Sequence, residues 1–349
     1  MTILTVAYPL LPVGPDAGGG AEQIASLVER GMVAAGHRSI VIAAPGSETS
    51  GELIESAAAP LRAGDITDDV RRNAQRIHRE CIGQALERYP IDLIHFHGLD
   101  FFSYVPQQDL PMLATLHLPV SFYPASIFED ARVQLNCVSH TQARSVTAQK
   151  KFPVVCNGIE TRQYRNGSGE KRSLLSLGRI CPEKGVHIAL DAALRLDTSL
   201  VIAGPVHPFR DHQRYFADCI EPLLDEKRRY IGSVNLETKK ALLAGAKCLL
   251  IPSLVAETSS LVAMEAISAG TPVIAFRSGA LPEIVEHGET GFIVDSPNEM
   301  GEAVQRVSAI SAETCRLRAQ LRFDAERMVD GYSALYRFVV QGRTLASAR

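Results

Sequence analysis

The chain has 349 residues, of which 46% are hydrophobic, 21% charged and 6% aromatic, and at about 150 residues per domain this length predicts two domains. Its 36 Lys and Arg residues against 39 Asp and Glu residues leave a net charge of −3, which excludes the global basic field of a nucleic-acid-binding protein. The seven cysteines form no C-x-x-C pair and no run of eighteen apolar residues occurs, so we expect a cytoplasmic protein without a membrane span.

Strand and helix patterns alternate along the first 155 or so residues. A β-branched run from Ile3 to Pro9 precedes a glycine loop, a helical pattern and a second apolar run from Ser39 to Pro45. A basic helix near Asp68 to Tyr89 is followed by three further apolar segments, DLIHFHG, MLATLHLP and QLNCVSH. Continuous apolar strands separated by helices are typical of a doubly wound α/β domain with a parallel sheet.

A second α/β series follows a linker, which we place between Cys156 and Arg172 because that stretch lacks periodicity. The series contains the segments SLLSLGR, VHIALDAALRL, SLVIAGP, NLETKKALLAGA, KCLLIPS, LVAMEAISAG, PVIAF and GFIVD. From Asn298 onward the pattern is helical, and it ends in a long amphipathic segment carrying Phe323, Met328, Tyr332, Leu335 and Tyr336. The sequence therefore predicts two similar domains with a cleft between them.

Three consecutive glycines, Gly18, Gly19 and Gly20, lie between the first strand and a helix expected to begin at Ala21 or Glu22. Bare backbone N–H groups and the positive end of the helix favour an anion there. The run matches neither the dinucleotide nor the P-loop fingerprint. A tight turn that requires positive φ and binds no ligand is the alternative interpretation.

Two cations follow the strand SLLSL in the second series. Arg179 and Lys184 are five residues apart at the carboxyl end of that strand, where ligands bind in open α/β sheets. A guanidinium fork and a mobile ammonium can hold a diphosphate without a metal ion. Two solvated surface cations are the alternative.

Two glutamates flank the start of the apolar helix LVAMEAISAG. Glu257 lies in the preceding loop, and Glu265 interrupts the apolar run of the helix, where a carboxylate needs a partner or a ligand hydroxyl. Thr258, Ser259 and Ser260 occupy the expected first turn, so their hydroxyls can cap the helix while their N–H groups bind a ligand.

These segments together resemble a known enzyme family. The segments concerned are GGGAEQ, TLH, NGIE, GRICPEKG, Glu257-x7-Glu265, AGTPVIA and LPEIVEHGETGFIVD. In their order and spacing they resemble family 4 of the retaining GT-B glycosyltransferases, over about residues 3 to 340. The resemblance implies an α/β GT-B fold with two facing Rossmann-like domains, residues 1–160 on the acceptor side and 161–322 binding the nucleotide sugar. It also implies a C-terminal helix, residues 323–349, that crosses back onto the first domain.

The resemblance also implies roles for individual residues. Arg179 and Lys184 become diphosphate ligands, Glu265 the ribose ligand and Glu257 the contact to the transferred sugar. His117 matches the family histidine near the sugar, and Gly19 and Gly20 match the glycine loop that approaches phosphate and acceptor. Many members have an aromatic residue and a glycine after the first glutamate, whereas this chain has Thr258, Ser259 and Ser260.

The function implied is metal-independent transfer of a sugar from a nucleoside diphosphate sugar to an acceptor hydroxyl, with retention of configuration. No cofactor is expected beyond this co-substrate, and the acceptor class stays open between a carbohydrate, a lipid-linked and a small-molecule acceptor. The basic helix with Arg71, Arg72, Arg76 and Arg79 is a candidate contact to an anionic membrane at its inner face.

Two rival functions remain open at the level of sequence. One is an inactive GT-B relative that only binds sugar nucleotides. The other is a zinc-dependent hydrolase, because His95 and His97 share one face of a strand and His117 ends the next, which is a plausible spacing for three zinc ligands.

Overall fold

The computed structural model describes residues 1–56, 67–146, 151–164 and 173–342, and the chain divides into two compact α/β units. The first unit consists of Met1–Asn157 and the chain from Ala325 onward, and the second consists of Gly158–Asp324. The predicted linker contains the passage between them, but its residues 165–172 lie outside the described residues.

The first unit is built on a six-stranded parallel sheet. Its strands are β1 (Thr2–Val6), β2 (Arg38–Ala43), β3 (Glu52–Glu55), β4 (Leu93–Phe96), β5 (Met112–Leu116) and β6 (Val133–Cys137), in the order β3-β2-β1-β4-β5-β6. Its connections include the helices α1 (Gly20–Ala34), α2 (Asp68–Arg88) and α3 (His140–Ser145). Ile40 and Ile42 pack in one hydrophobic cluster, whereas Val41 and Ala43 pack in another, so the sheet is buried on both faces as the apolar runs predict.

The second unit repeats this architecture. Its strands are β7 (Ser173–Leu177), β8 (Leu200–Ala203), β9 (Arg228–Tyr230), β10 (Ala246–Ile251), β11 (Val273–Phe276) and β12 (Gly291–Val294), in the order β12-β11-β10-β7-β8-β9. Its helices are α4 (Val186–Arg195), α5 (Arg210–Tyr215), α6 (Leu236–Gly245), α7 (Leu261–Ser268), α8 (Leu281–Ile284), α9 (Pro297–Arg306) and α10 (Ala312–Phe323). Leu174 and Leu175 enter different clusters, so this sheet is also covered on both faces.

In each sheet the chain adds strands first toward one edge and then toward the other. The change occurs between the neighbouring strands β1 and β4 in the first sheet and between β7 and β10 in the second. Both pairs run parallel, with Leu4 beside Ile94 and Leu249 beside Leu175. Loops that leave the carboxyl ends of such neighbouring strands form a crevice, which is where open α/β sheets bind ligands. The sheet order therefore brings together the loops after β7 and β10.

The amphipathic segment at the end of the chain is two helices rather than one. Phe323 ends α10 in the core of the second unit, and α11 (Ala325–Val340) begins two residues later. Between them Asp324 adopts an extended ψ of 134° and accepts a hydrogen bond of 2.5 Å from the Thr161 hydroxyl. This contact and the extended backbone separate the two helices, so α11 begins two residues after the expected start at residue 323.

The basic face of α2 is largely neutralised within the helix. Ion pairs join Arg71 to Asp68 at 3.4 Å, Arg72 to Asp69 at 2.5 Å and Arg76 to Glu80 at 2.6 Å. Arg79 donates to the Ser103 carbonyl. Contact with a membrane stays a prediction, and over the described ranges no helix is both long and apolar enough to cross a bilayer.

Candidate functional site

The loop after β7 presents two cations in different environments. Arg179 is exposed, and its guanidinium has no hydrogen-bond partner among the described residues. A single 3-10 turn, Pro182–Lys184, follows and ends at Gly185 with φ +63°. A Cβ atom at Gly185 would lie 2.2 Å from the Pro252 carbonyl oxygen, so only glycine permits this close approach to the loop after β10.

Lys184 and Glu257 form an ion pair between those two loops. The distance from Lys184 Nζ to Glu257 Oε1 is 2.6 Å, and the Ser253 hydroxyl donates to the same carboxylate oxygen at 2.6 Å. Leu254 N–H donates to the Glu183 carbonyl at 2.8 Å, which holds the loops together through the backbone. The structure thus brings together two residues that the sequence singled out separately.

Glu265 is buried on α7 and has partners that the sequence did not indicate. Its Oε1 accepts hydrogen bonds from the Tyr164 hydroxyl at 2.8 Å and from Lys239 Nζ at 2.6 Å. Oε2 has no protein partner within the part of the chain that the structure describes. The need for a partner was predictable from a carboxylate in an apolar helix, whereas the identity of Lys239 on α6 was not.

The sequence predicted that Thr258, Ser259 and Ser260 form the first turn of α7. In the structure they precede the helix, which begins at Leu261. Ser260 is the N-cap, and its Oγ accepts from Ala263 N–H at 3.4 Å. Ser259 Oγ is buried without a hydrogen-bond partner among the described residues. An unpaired buried hydroxyl two residues from Glu257 is available to a ligand.

The glycine loop of the first unit is filled by a side chain of its own helix. Helix α1 begins at Gly20, one residue before the expected start, with Gly19 as N-cap at φ −110°. Gly18, Gly19 and Gly20 all lack positive φ, so the turn does not need glycine for its backbone conformation. A Cβ atom at Gly19 would lie 1.9 Å from Glu22 Oε2, so glycine makes room for this buried carboxyl group.

The buried carboxyl group of Glu22 changes what the helix end can bind. Burial raises the pKa of Glu22 from 4.5 to about 7. An anion at this N-terminus would meet the Glu22 side chain and would favour its neutral, proton-donating form. The expected anion site at Gly19 and Gly20 is therefore linked to a protonation that the sequence did not predict.

Replacing Glu22 by Gln is expected to stabilise the protein at alkaline pH. A carboxyl group whose folded pKa lies above its unfolded pKa costs stability as pH rises from 4.5 to about 7, and the full cost persists above that window. We expect Glu22→Gln to raise the free energy of unfolding by up to about 3 kcal/mol at pH 8 and to have little effect at pH 4. Denaturant unfolding at both pH values measures the difference.

Glu29 on the same helix provides the matched control. It is buried as well, but its carboxylate accepts backbone N–H bonds from Ser50 at 3.1 Å and Gly51 at 2.8 Å. Glu29→Gln is therefore expected to lower the free energy of unfolding at pH 8, because it weakens charge-assisted hydrogen bonds. A Glu22→Gln variant that gains nothing at pH 8 would contradict the assignment.

The three histidines of the first unit form a hydrogen-bonded chain. His97 Nδ1 lies 3.0 Å from His117 Nε2, and His97 Nε2 lies 3.1 Å from His95 Nδ1. His95 also lies 2.6 Å from the Tyr336 hydroxyl of α11 and 2.8 Å from Thr115 Oγ1. These hydrogen bonds between the histidines and Tyr336 hold the terminal helix against the sheet, a role for which the sequence offered no signal.

This arrangement does not support the zinc-hydrolase hypothesis. The nitrogens of neighbouring histidines face one another at hydrogen-bond distance, and among the described residues these three do not form a group of converging metal donors. Burial lowers the pKa of His117 to about 4 and holds the pKa values of His95 and His97 well below their usual range. All three imidazoles are therefore neutral at pH 7.

The matched family covers the second unit. Residues 159–327 match the family model for group 1 glycosyl transferases. This part of the chain is therefore similar to group 1 glycosyl transferases, and we name it the group 1 domain. The domain contains Arg179, Lys184, Glu257, Thr258, Ser259, Ser260 and Glu265, which are the donor-binding candidates of the second half.

Relatives extend the similarity beyond the group 1 domain. An uncharacterized glycosyltransferase of Methanocaldococcus jannaschii is 31% identical over 256 residues, which span 67% of this chain and 59% of that protein. The chain spans about half the length of several curated relatives that it matches.

Solved structures establish the fold of the whole chain. Sucrose-phosphate synthase from Thermosynechococcus elongatus superposes with a TM-score of 0.83 at 21% identity, covering 98% of this chain and all of that one. HepE from Anabaena in complex with UDP-glucose superposes with a TM-score of 0.75 at 17% identity, covering 97% of this chain and all of that one. The predicted α/β GT-B fold is confirmed, with the group 1 domain as its second half.

Proposed function

We propose that the protein transfers a sugar from a nucleoside diphosphate sugar to an acceptor hydroxyl, with retention of configuration. The observation that carries this proposal is the ion pair between Lys184 and Glu257, which joins the loops after β7 and β10 of the group 1 domain, with the exposed Arg179 in the first of these loops. Two cations and a carboxylate at such a strand edge suit a ligand that carries both phosphates and sugar hydroxyls.

The diphosphate would bind to the cations. The exposed guanidinium of Arg179 is free to take a bidentate phosphate contact, and the Lys184 ammonium is held in place by Glu257 before a ligand arrives. Charge that develops on the leaving diphosphate would be stabilised by both cations. We therefore propose that no divalent ion bridges the diphosphate.

The sugar hydroxyls and the ribose would bind to the glutamates. Glu265 Oε2 is left to accept from a ribose hydroxyl, since Tyr164 and Lys239 both occupy Oε1. Glu257 and the unpaired Ser259 hydroxyl, together with Thr258 and Ser260, would bind the transferred sugar. Carboxylates are strong acceptors for such hydroxyl groups.

The transfer would proceed on one face of the sugar. As the bond from the anomeric carbon to the diphosphate oxygen breaks, the acceptor oxygen attacks the same face of an oxocarbenium-like centre. The departing diphosphate takes the acceptor proton, so no protein nucleophile is required. The parts of Gly19, Gly20 and His117 in acceptor binding and transfer stay predictions from the resemblance.

A panel of UDP-, GDP- and ADP-sugars tests the proposal. We expect one class of donor to raise the melting temperature, because a ligand that binds the folded state stabilises it. Incubation of that donor with carbohydrate, lipid-linked and small-molecule acceptors should give a product whose anomeric configuration, measured by NMR, equals that of the donor. The rate should not depend on added Mg²⁺ or Mn²⁺.

Three outcomes would contradict parts of this proposal. If no donor changes the melting temperature and no nucleoside diphosphate is released, the sugar-nucleotide assignment fails. Binding without any transfer to the acceptor panel would favour the inactive binding protein instead. An inverted product would overturn the same-face step while leaving the donor site intact.

A further inference from the structure

A second group of reactive side chains lies in the group 1 domain beside the loop after β7. The Cys181 thiol, the Glu183 carboxylate and the His212 imidazole place one potential metal-ligand atom each within 4.8 Å of one another. Cys181 and His212 are buried, whereas Glu183 is exposed. These three residues, here named the thiol site, take no part in the proposed transfer.

The backbone fixes the two chain segments that form the thiol site. Lys184 N–H donates to the Cys181 carbonyl at 3.1 Å, and Gly185 N–H donates to the Pro182 carbonyl at 3.1 Å, which sets the turn that carries Cys181 and Glu183. Helix α5, which carries His212, is anchored by Tyr215. The Tyr215 hydroxyl accepts from His187 N–H at 3.0 Å at the start of α4.

His212 has an unmet hydrogen-bonding need. Its exposed fraction is 8%, and its Nδ1 atom is buried with no hydrogen-bond partner among the described residues. Leaving a buried polar atom without a hydrogen-bond partner destabilises the folded protein. The Cys181 thiol makes a long contact of 3.9 Å to the Arg179 carbonyl oxygen and a hydrogen bond to the Glu183 carboxylate. A bound ion would give the thiol and the imidazole a common partner.

We propose that Cys181, Glu183 and His212 bind a zinc ion. Sulphur, nitrogen and carboxylate oxygen are the donors that zinc takes in proteins, and three of them with a fourth open position form a common zinc site. Tetrahedral bonds of 2.0 to 2.3 Å separate the ligand atoms by about 3.5 Å. The ligand atoms lie within 4.8 Å of one another, so small rotations of the three side chains would bring them to that separation.

When zinc binds at the thiol site, it replaces the proton of the Cys181 thiol. The Cys181 S–H bond breaks, a sulphur–zinc bond forms and one proton passes to the solvent, with no change of oxidation state. His212 would coordinate through a ring-nitrogen lone pair, and Glu183 through a carboxylate oxygen. Zinc binding is therefore expected to release about one proton per ion.

The thiol site differs from the histidine chain of the first unit, and its metal binding does not depend on the proposed transfer. No sugar nucleotide is needed to detect it, so failure of either proposal leaves the other standing. The ion would hold α5 against the turn between Arg179 and Lys184 and would so stabilise the second unit. Its first measurable consequence is a higher melting temperature.

Zinc titration of the chelator-stripped full chain tests the inference. We expect calorimetry to show one zinc ion bound per chain, with proton release seen as a buffer-dependent heat. Cobalt(II) in place of zinc should give a thiolate charge-transfer band. Cys181→Ser should abolish that band, and His212→Ala should weaken zinc binding about 100-fold or more.

Two variants control for misfolding and for unspecific thiol binding. Glu183 is exposed, so Glu183→Gln is expected to fold normally and to weaken zinc binding about 10- to 100-fold. Cys219→Ser removes a half-buried free thiol of the same unit and should leave the titration unchanged. The inference is overturned if the unsubstituted chain binds no zinc, or if Cys181→Ser or Glu183→Gln binds it as tightly as the unsubstituted chain.

Discussion

Arg179→Ala and Lys184→Ala should each weaken the binding of a nucleoside diphosphate by about 10- to 150-fold. A hydrogen bond to a charged group contributes about 1.5 to 3 kcal/mol, and removing either cation removes at least one such contact. We expect the larger loss for Lys184→Ala, because the ammonium also neutralises Glu257, 2.6 Å away. Titration calorimetry with the diphosphate alone measures both effects.

The ion pair permits a sharper version of this experiment. In Lys184→Ala the unpaired Glu257 carboxylate would repel the phosphates, so adding Glu257→Gln should restore part of the lost affinity. Non-additivity of this kind is expected for residues in direct contact. Lys240→Ala removes a lysine that pairs with Glu237 on α6 and should bind the diphosphate normally. Unchanged affinity in both single variants would show that the phosphate site is wrong.

Glu257→Gln and Glu265→Gln should affect the transfer in different ways. A contact to the transferred sugar can strengthen in the transition state, so Glu257→Gln is expected mainly to lower kcat. A ribose contact is remote from the breaking bond, so Glu265→Gln is expected mainly to raise KM for the donor. Free nucleoside diphosphate contains the ribose but not the transferred sugar. It should therefore bind less tightly to Glu265→Gln and with unchanged affinity to Glu257→Gln.

The Lys239 ammonium complicates the Glu265 variant and also supplies its control. Because Lys239 and Glu265 are paired at 2.6 Å with 18% and 4% of their side chains exposed, Glu265→Gln should lower the free energy of unfolding by about 3 kcal/mol. Adding Lys239→Met should recover much of this stability without restoring the affinity for the diphosphate. If that double variant regains the affinity, Glu265 acts only as a structural partner of Lys239. The opposite ranking of the two glutamate variants in diphosphate binding would exchange their roles.

Local patterns were sufficient to predict much of the fold. Continuous apolar runs such as Ser39 to Pro45 predicted parallel strands buried on both faces, and the two sheets have that form. The helix predicted in LVAMEAISAG occurs at Leu261–Ser268, with Ser260 as its cap. Its start was placed too early because Thr258 and Ser259 are as suitable for a first turn as for a loop, and only the backbone distinguishes them.

The sequence by itself determined the alternation of strands and helices and the position of polar residues at strand ends, because both depend on neighbours a few residues apart. Only the tertiary structure decided which of those residues contact each other. Lys184 and Glu257 are separated by 73 residues and meet because β7 lies beside β10. Tyr164 and Glu265 are separated by 101 residues and meet because the chain enters the second unit near α7. The buried Glu22 against Gly19 and the approach of His212 to Cys181 likewise depend on burial and packing, which local periodicity does not encode.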